Sequence, residues 1–212
     1  MTAAAWVALA AGTGLALADW VAVGSARRSA EYVLKPATLV ALIALAVALD
    51  PQDGGQRAWF VAALVFSLAG DVFLMLPSDR FVEGLGSFLL AHLAYVVGLQ
   101  IDGPSVGALA LAAALVAVAA IPLGARIVRG VRDAGKRALV APVVAYIAVI
   151  SAMVVSALAT GRPVAIAGAL LFYASDACIG WSRFVHPFKG HRLAIMTTYH
   201  LGQAGLVLSL LG

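Results

Sequence analysis

Two carboxylates fall where carboxylates are costly. Asp71 closes the stretch Ser67-Leu68-Ala69-Gly70-Asp71, and Asp176 closes Phe172-Tyr173-Ala174-Ser175-Asp176, each inside a long apolar run. Each is followed, across one break, by a histidine in a second apolar run: His92 in Ala91-His92-Leu93-Ala94-Tyr95, and His200 in Thr198-Tyr199-His200-Leu201. An ionisable group in hydrocarbon marks a functional site by default. Two carboxyls sharing such a site do not both ionise, so one can stay protonated as a general acid while the other stays an anion. For either Asp alone, a hydrogen-bonded carboxyl between helices is the ordinary alternative. The matched pair argues for chemistry.

The elements that must position these residues are membrane spans. Of 212 residues, 63% are hydrophobic and 11% charged, whereas a soluble domain is about half apolar and a quarter charged. The chain therefore reads as a single all-α transmembrane domain over 1–212, a polytopic membrane helix bundle. Spans need about 20 apolar residues, and eight are expected near 2–24, 35–50, 57–77, 84–101, 105–124, 138–158, 163–182 and 193–211. The first lacks the basic start of a signal peptide. Breaks are expected at Asp50-Pro51-Gln52-Asp53, Pro77-Ser78-Asp79-Arg80, Asp102-Gly103-Pro104 and Gly161-Arg162-Pro163. Pro36 reads as the start of the second span. The single cysteine, Cys178, excludes an internal disulfide.

Charge sets the orientation. All but two of the 14 basic residues fall in or beside the loops after spans 1, 3, 5 and 7; Arg57 and Arg162 are the exceptions. The positive-inside rule makes those loops cytoplasmic and places both termini outside. The basic surplus thus has a topological cause, and nucleic acid is not an expected partner. The run 126–137 reads as a solvated loop. Asp71, Asp176, His92 and His200 then share one depth in the cytoplasmic half, together with Asp19 near the inner end of span 1 and Lys35 at the start of span 2. One polar cavity open to the cytoplasmic leaflet is expected. The similar Asp-to-His spacings, each across a loop with Arg-Phe-Val (Arg80-Phe81-Val82; Arg183-Phe184-Val185), predict a 4+4 internal repeat of parallel orientation.

Supporting candidates follow from helical spacing. Tyr95 lies one turn after His92, and Tyr173 three residues before Asp176. Lys35 reads most simply as a snorkelling interface residue and functionally as a phosphate contact or charge partner of an Asp. No G-x-S-x-G elbow, P-loop, dinucleotide fingerprint or CxxC occurs. His and Asp can bind zinc, but no HExxH-like spacing supports it, so no metal and no cofactor are expected. Paired membrane Asp and His residues also build proton or cation pathways in transporters, and a transporter using the same cluster is the alternative.

Lys35-Pro36, Gly70-Asp71-x-x-Leu74-Met75, His92-x-x-Tyr95, Tyr173-x-Ser175-Asp176 and Tyr199-His200 together resemble the YhhN-type lysoplasmalogenase family of eight-span membrane proteins. The resemblance runs over nearly the whole chain. It implies a hydrolase that cleaves the vinyl-ether bond of lysoplasmalogens, giving a fatty aldehyde and a glycerophospho-base. It implies catalytic roles for Asp71 and Asp176, and supporting or substrate-binding roles for His92, Tyr95, His200, Tyr173, Lys35 and Asp19. The partners it implies are a lysophospholipid, water and membrane lipids. The expected location is the bacterial inner membrane, with the site facing the cytoplasmic leaflet. The chemistry suits two carboxyls: protonating the outer vinyl carbon gives an oxocarbenium ion, to which water adds.

Overall fold

The computed structural model describes residues 1–50, 53–101 and 103–212. Eight α-helices carry nearly all of them: α1 (Ala3–Gly24), α2 (Arg28–Ala48), α3 (Gly54–Met75), α4 (Phe81–Gln100), α5 (Val106–Asp133), α6 (Val140–Thr160), α7 (Pro163–Phe184) and α8 (His191–Leu208). All eight are long and apolar enough to cross a membrane. In a bilayer every backbone polar group needs an internal partner, which a helix supplies. Starts are set by local chemistry. Thr2, Asp53 and Ser105 each accept a backbone N–H of the first turn of α1, α3 and α5. Pro163 occupies the first turn of α7. Gly161, at φ 68°, closes α6 in the left-handed conformation a glycine takes without strain. Pro51, Gln52 and Asp102, which belong to two of the expected breaks, lie outside the described residues.

Two expectations are corrected. Helix α2 begins at Arg28, not at Lys35-Pro36, and Pro36 lies inside it. A proline removes one backbone donor, and a helix packed against α1, α3 and α8 absorbs that loss. Lys35 is therefore in mid-helix and only 7% exposed, not snorkelling from a helix start. The basic run 126–137 is helical as far as Asp133, because α5 extends beyond its apolar part.

Helix pairs α1–α2, α3–α4 and α7–α8 are the closest neighbours, and α8 also touches α1, α2 and α3. Helices α4 and α8 are the most buried of the eight, while α5 is peripheral and packs on α6 and α7. Glycine makes the closest approach possible. A Cβ on Gly168 would lie 2.6 Å from the backbone nitrogen of Leu206, and one on Gly202 would lie 2.7 Å from that of Phe172. Backbones of α7 and α8 therefore touch, as small residues allow between membrane helices. On α3, Gly70 does the same for the Phe88 ring, 2.6 Å from where its Cβ would be. These two seats hold the helices that carry Asp71, Asp176 and His200.

Candidate active site

The expected site residues gather into two nests. In the first, Asp71 on α3 is fully buried. Its Oδ1 lies 2.8 Å from Lys35 Nζ of α2, and its Oδ2 accepts the Tyr199 hydroxyl of α8 at 2.8 Å. The pair is nearly closed to solvent, with side-chain exposures of 9% and 1%. Attraction between buried charges offsets their desolvation only when geometry is good and other hydrogen bonds help; here the Tyr199 hydroxyl does so. Lys35 also sits 5.6 Å from the centre of the Tyr199 ring.

The second nest is built on Asp176 of α7. Tyr146 of α6 donates a short hydrogen bond to its Oδ2, and His92 Nε2 of α4 lies 3.1 Å from the same oxygen. His92 Nε2 is also 3.0 Å from the Tyr146 oxygen. Tyr146 has one proton and gives it to Asp176, so the His92 N–H reaches both oxygens. Both donors converge on Oδ2, and Oδ1 receives no hydrogen bond among the described residues. Asp176 and Tyr146 supply the polar groups of a cleft walled by Leu85, Phe88, Ile127, Ile147 and Phe184, among others. Tyr173 lines it too, as its spacing from Asp176 suggested.

An aromatic layer joins the nests. The Phe172 ring contacts those of His92 and Tyr199, with centres 4.8 and 5.3 Å apart, and Phe88 packs on Phe172 and Tyr199. The polar groups thus do not share one cavity. Asp176 lines the apolar cleft, whereas Lys35 lines a separate polar cleft with Arg28, Glu31 and Arg192. Leu74 belongs to the walls of both.

The remaining candidates lie outside these two nests. His200 accepts the Trp20 indole N–H at Nδ1, at 3.1 Å. An indole only donates, so the proton of the neutral imidazole is on Nε2, which has no hydrogen-bond partner among the described residues. Tyr95 donates to Gln203 Oε1 at 2.6 Å and is fully buried; it braces α4 on α8. Asp19 is buried, and neither of its oxygens is hydrogen-bonded by a described residue. Among the described residues, no three His, Cys, Asp or Glu side chains gather as metal ligands would.

Sequence reasoning passed over Tyr146 and Trp20 as site residues, and took Tyr199 only as a neighbour of His200. Tyr146 left a signal: it is the one aromatic residue in the apolar run Val140–Thr160.

The sequence profile described as the YhhN family matches residues 30–210. This chain belongs to the YhhN family. Its relatives include a lysoplasmalogenase of Mycobacterium bovis, 36% identical over 193 residues that cover 86% of this chain and 72% of that one. Human lysoplasmalogenase TMEM86B is 34% identical over 159 residues, 75% of this chain and 66% of its own. Lysoplasmalogenase TMEM86B of Sus scrofa is 31% identical over 177 residues, 84% of this chain and 74% of its own. No solved structure matches. The family match takes in both nests of this YhhN protein, from Lys35 through Tyr199.

Proposed function

We propose that the protein is a membrane-embedded ether hydrolase that cleaves the vinyl-ether bond of lysoplasmalogen-type lysophospholipids. The observation that carries this reading is Asp176, a carboxyl that lines an apolar cleft while two donors hold one of its oxygens. That is how a carboxylic acid would present its proton to a lipid chain. Relatives that carry the name lysoplasmalogenase at 31–36% identity support the same substrate class.

The steps follow from the geometry. Asp176 protonated on Oδ1 gives its proton to the outer vinyl carbon, while Oδ2 keeps the hydrogen bonds of Tyr146 and His92. The new C–H bond leaves an oxocarbenium ion beside the Asp176 carboxylate, and the two attract strongly where water is scarce. Water adds to the carbon bearing oxygen and loses its proton to Asp176, which is thereby restored. The hemiacetal then collapses to the aldehyde and the glycerol hydroxyl. Asp71, bonded to Lys35 and Tyr199, stays the ionised carboxyl of the pair. Paired with Lys35 it carries no net charge, and it holds Tyr199 against Phe172, on which His92 also packs.

The test is selectivity. Purified protein in detergent is given three lysophospholipids with the same head group: a vinyl ether, a saturated alkyl ether and an ester. Aldehyde from the vinyl ether alone is expected, because only it has a carbon to protonate. Fatty acid from the ester would place the protein in another hydrolase class.

A further inference from the structure

Leu74 separates two clefts of opposite character. On one side is the apolar cleft of Asp176. On the other is a polar cleft lined by Arg28, Glu31, Tyr32, Lys35 and Arg192, with Leu74 and Met75 as its floor. Its cations are unequally committed. Lys35 is held by Asp71 at 2.8 Å. Arg192 of α8 reaches across to Glu31 of α2, with Nη2 2.8 and 2.5 Å from the two carboxylate oxygens. Arg28 forms no ion pair or side-chain hydrogen bond with a described residue. It also stands in the first turn of α2, where the helix dipole disfavours a cation. An unpaired guanidinium in an unfavourable field is suited to an anion that arrives from outside.

We propose that this polar cleft seats the head group of the substrate, with Arg28 binding the phosphodiester, Lys35 behind it, and the Tyr32 ring facing the head-group ammonium. One spare positive charge matches the single negative charge of a phosphodiester, and guanidinium binds phosphate oxygens in pairs. The face of the Tyr32 ring supplies what an ammonium recognises. Leu74 is common to the linings of both clefts. The lipid tail would occupy the Asp176 side and the head the Arg28 side, leaving the vinyl ether between them. The choice of a lysolipid rests on the hydrolase reading above, but the measurement needs no turnover.

Binding of a saturated alkyl-ether lysophosphatidylethanolamine, which has no double bond to protonate, is measured by calorimetry in detergent. The comparison ligand is the same alkylglycerol without phosphate. Arg28→Gln should weaken the lysophospholipid about tenfold and Arg28→Glu further, with alkylglycerol binding unchanged in both. Wild-type affinity for the lysophospholipid in both variants, or equal loss of both ligands, overturns the proposal. Inorganic phosphate bound by wild type without lipid, and lost in Arg28→Gln, would assign the cleft to a free anion and also overturn it. A failure to release aldehyde would sink the hydrolase reading and leave this binding result standing by itself.

Discussion

At the scale of single residues, the two carboxyls do different work. Asp71 is locked to Lys35 and Tyr199 and lines no cleft described above, whereas Asp176 lines the apolar one. Removing one partner of a buried ion pair costs about 3–5 kcal/mol, because the other charge is left alone. Lys35→Met and Asp71→Asn should therefore each lower the thermal midpoint in detergent. The double variant should lose less than the sum of the two, as coupled residues do; strictly additive losses would mean that the pair does not form. Tyr146→Phe removes a hydrogen bond to a carboxylate, worth about 1.5–3 kcal/mol. Turnover should fall roughly ten- to hundredfold while the protein stays folded. Strong chelators should leave turnover unchanged, because every step above is carried by carboxyl, phenol, imidazole and water. The carboxyls were legible in the sequence because an Asp in an apolar run has few structural excuses. Tyr146 and Trp20 were not, because an aromatic residue with one polar atom fits a membrane span without any site.

At the scale of helices, position follows from how closely backbones approach. Phe172 packs on His92 and Tyr199 from a helix that touches α8 backbone to backbone. Gly168→Ala would drive a Cβ to 2.6 Å from the Leu206 nitrogen, an overpacking that costs about 1–3 kcal/mol. Gly14→Ala on α1 meets nothing within 4 Å and should be neutral or stabilising, since Ala is the better helix former. Thermal unfolding of the two variants checks the contrast; equal midpoints would mean that α7 and α8 do not touch there. All eight spans were legible from hydrophobic runs, and the ends with clear caps came out within a few residues. The start of α2 was not. Pro36 looks like a first-turn proline, and only packing against three neighbours tells that the helix runs through it. Lys35 was placed at an interface for the same reason, and so its ion pair stayed one of several options.

At the scale of the whole molecule, the basic residues cluster beside the ends of α1, α3, α5 and α7. The polar cleft of Arg28, Lys35 and Arg192 opens at that same end. By the positive-inside rule, the proposed head-group side of the site is expected in the cytoplasmic leaflet. A cysteine at Lys189, in a Cys178→Ser background, should resist an impermeant thiol reagent in intact cells and react after lysis. Labelling in intact cells would reverse the orientation. A lipid bound as proposed would have its tail in the apolar cleft that Asp176 lines and its head in the polar one, and Asp176 would be the acid that cleaves it. The most direct test is aldehyde release from a vinyl-ether lysophospholipid by Asp176→Asn beside the wild type, both shown to be folded and monodisperse. Loss of the general acid predicts a fall of about 10²–10⁴-fold. Turnover within a few-fold of wild type would contradict Asp176 as the proton donor.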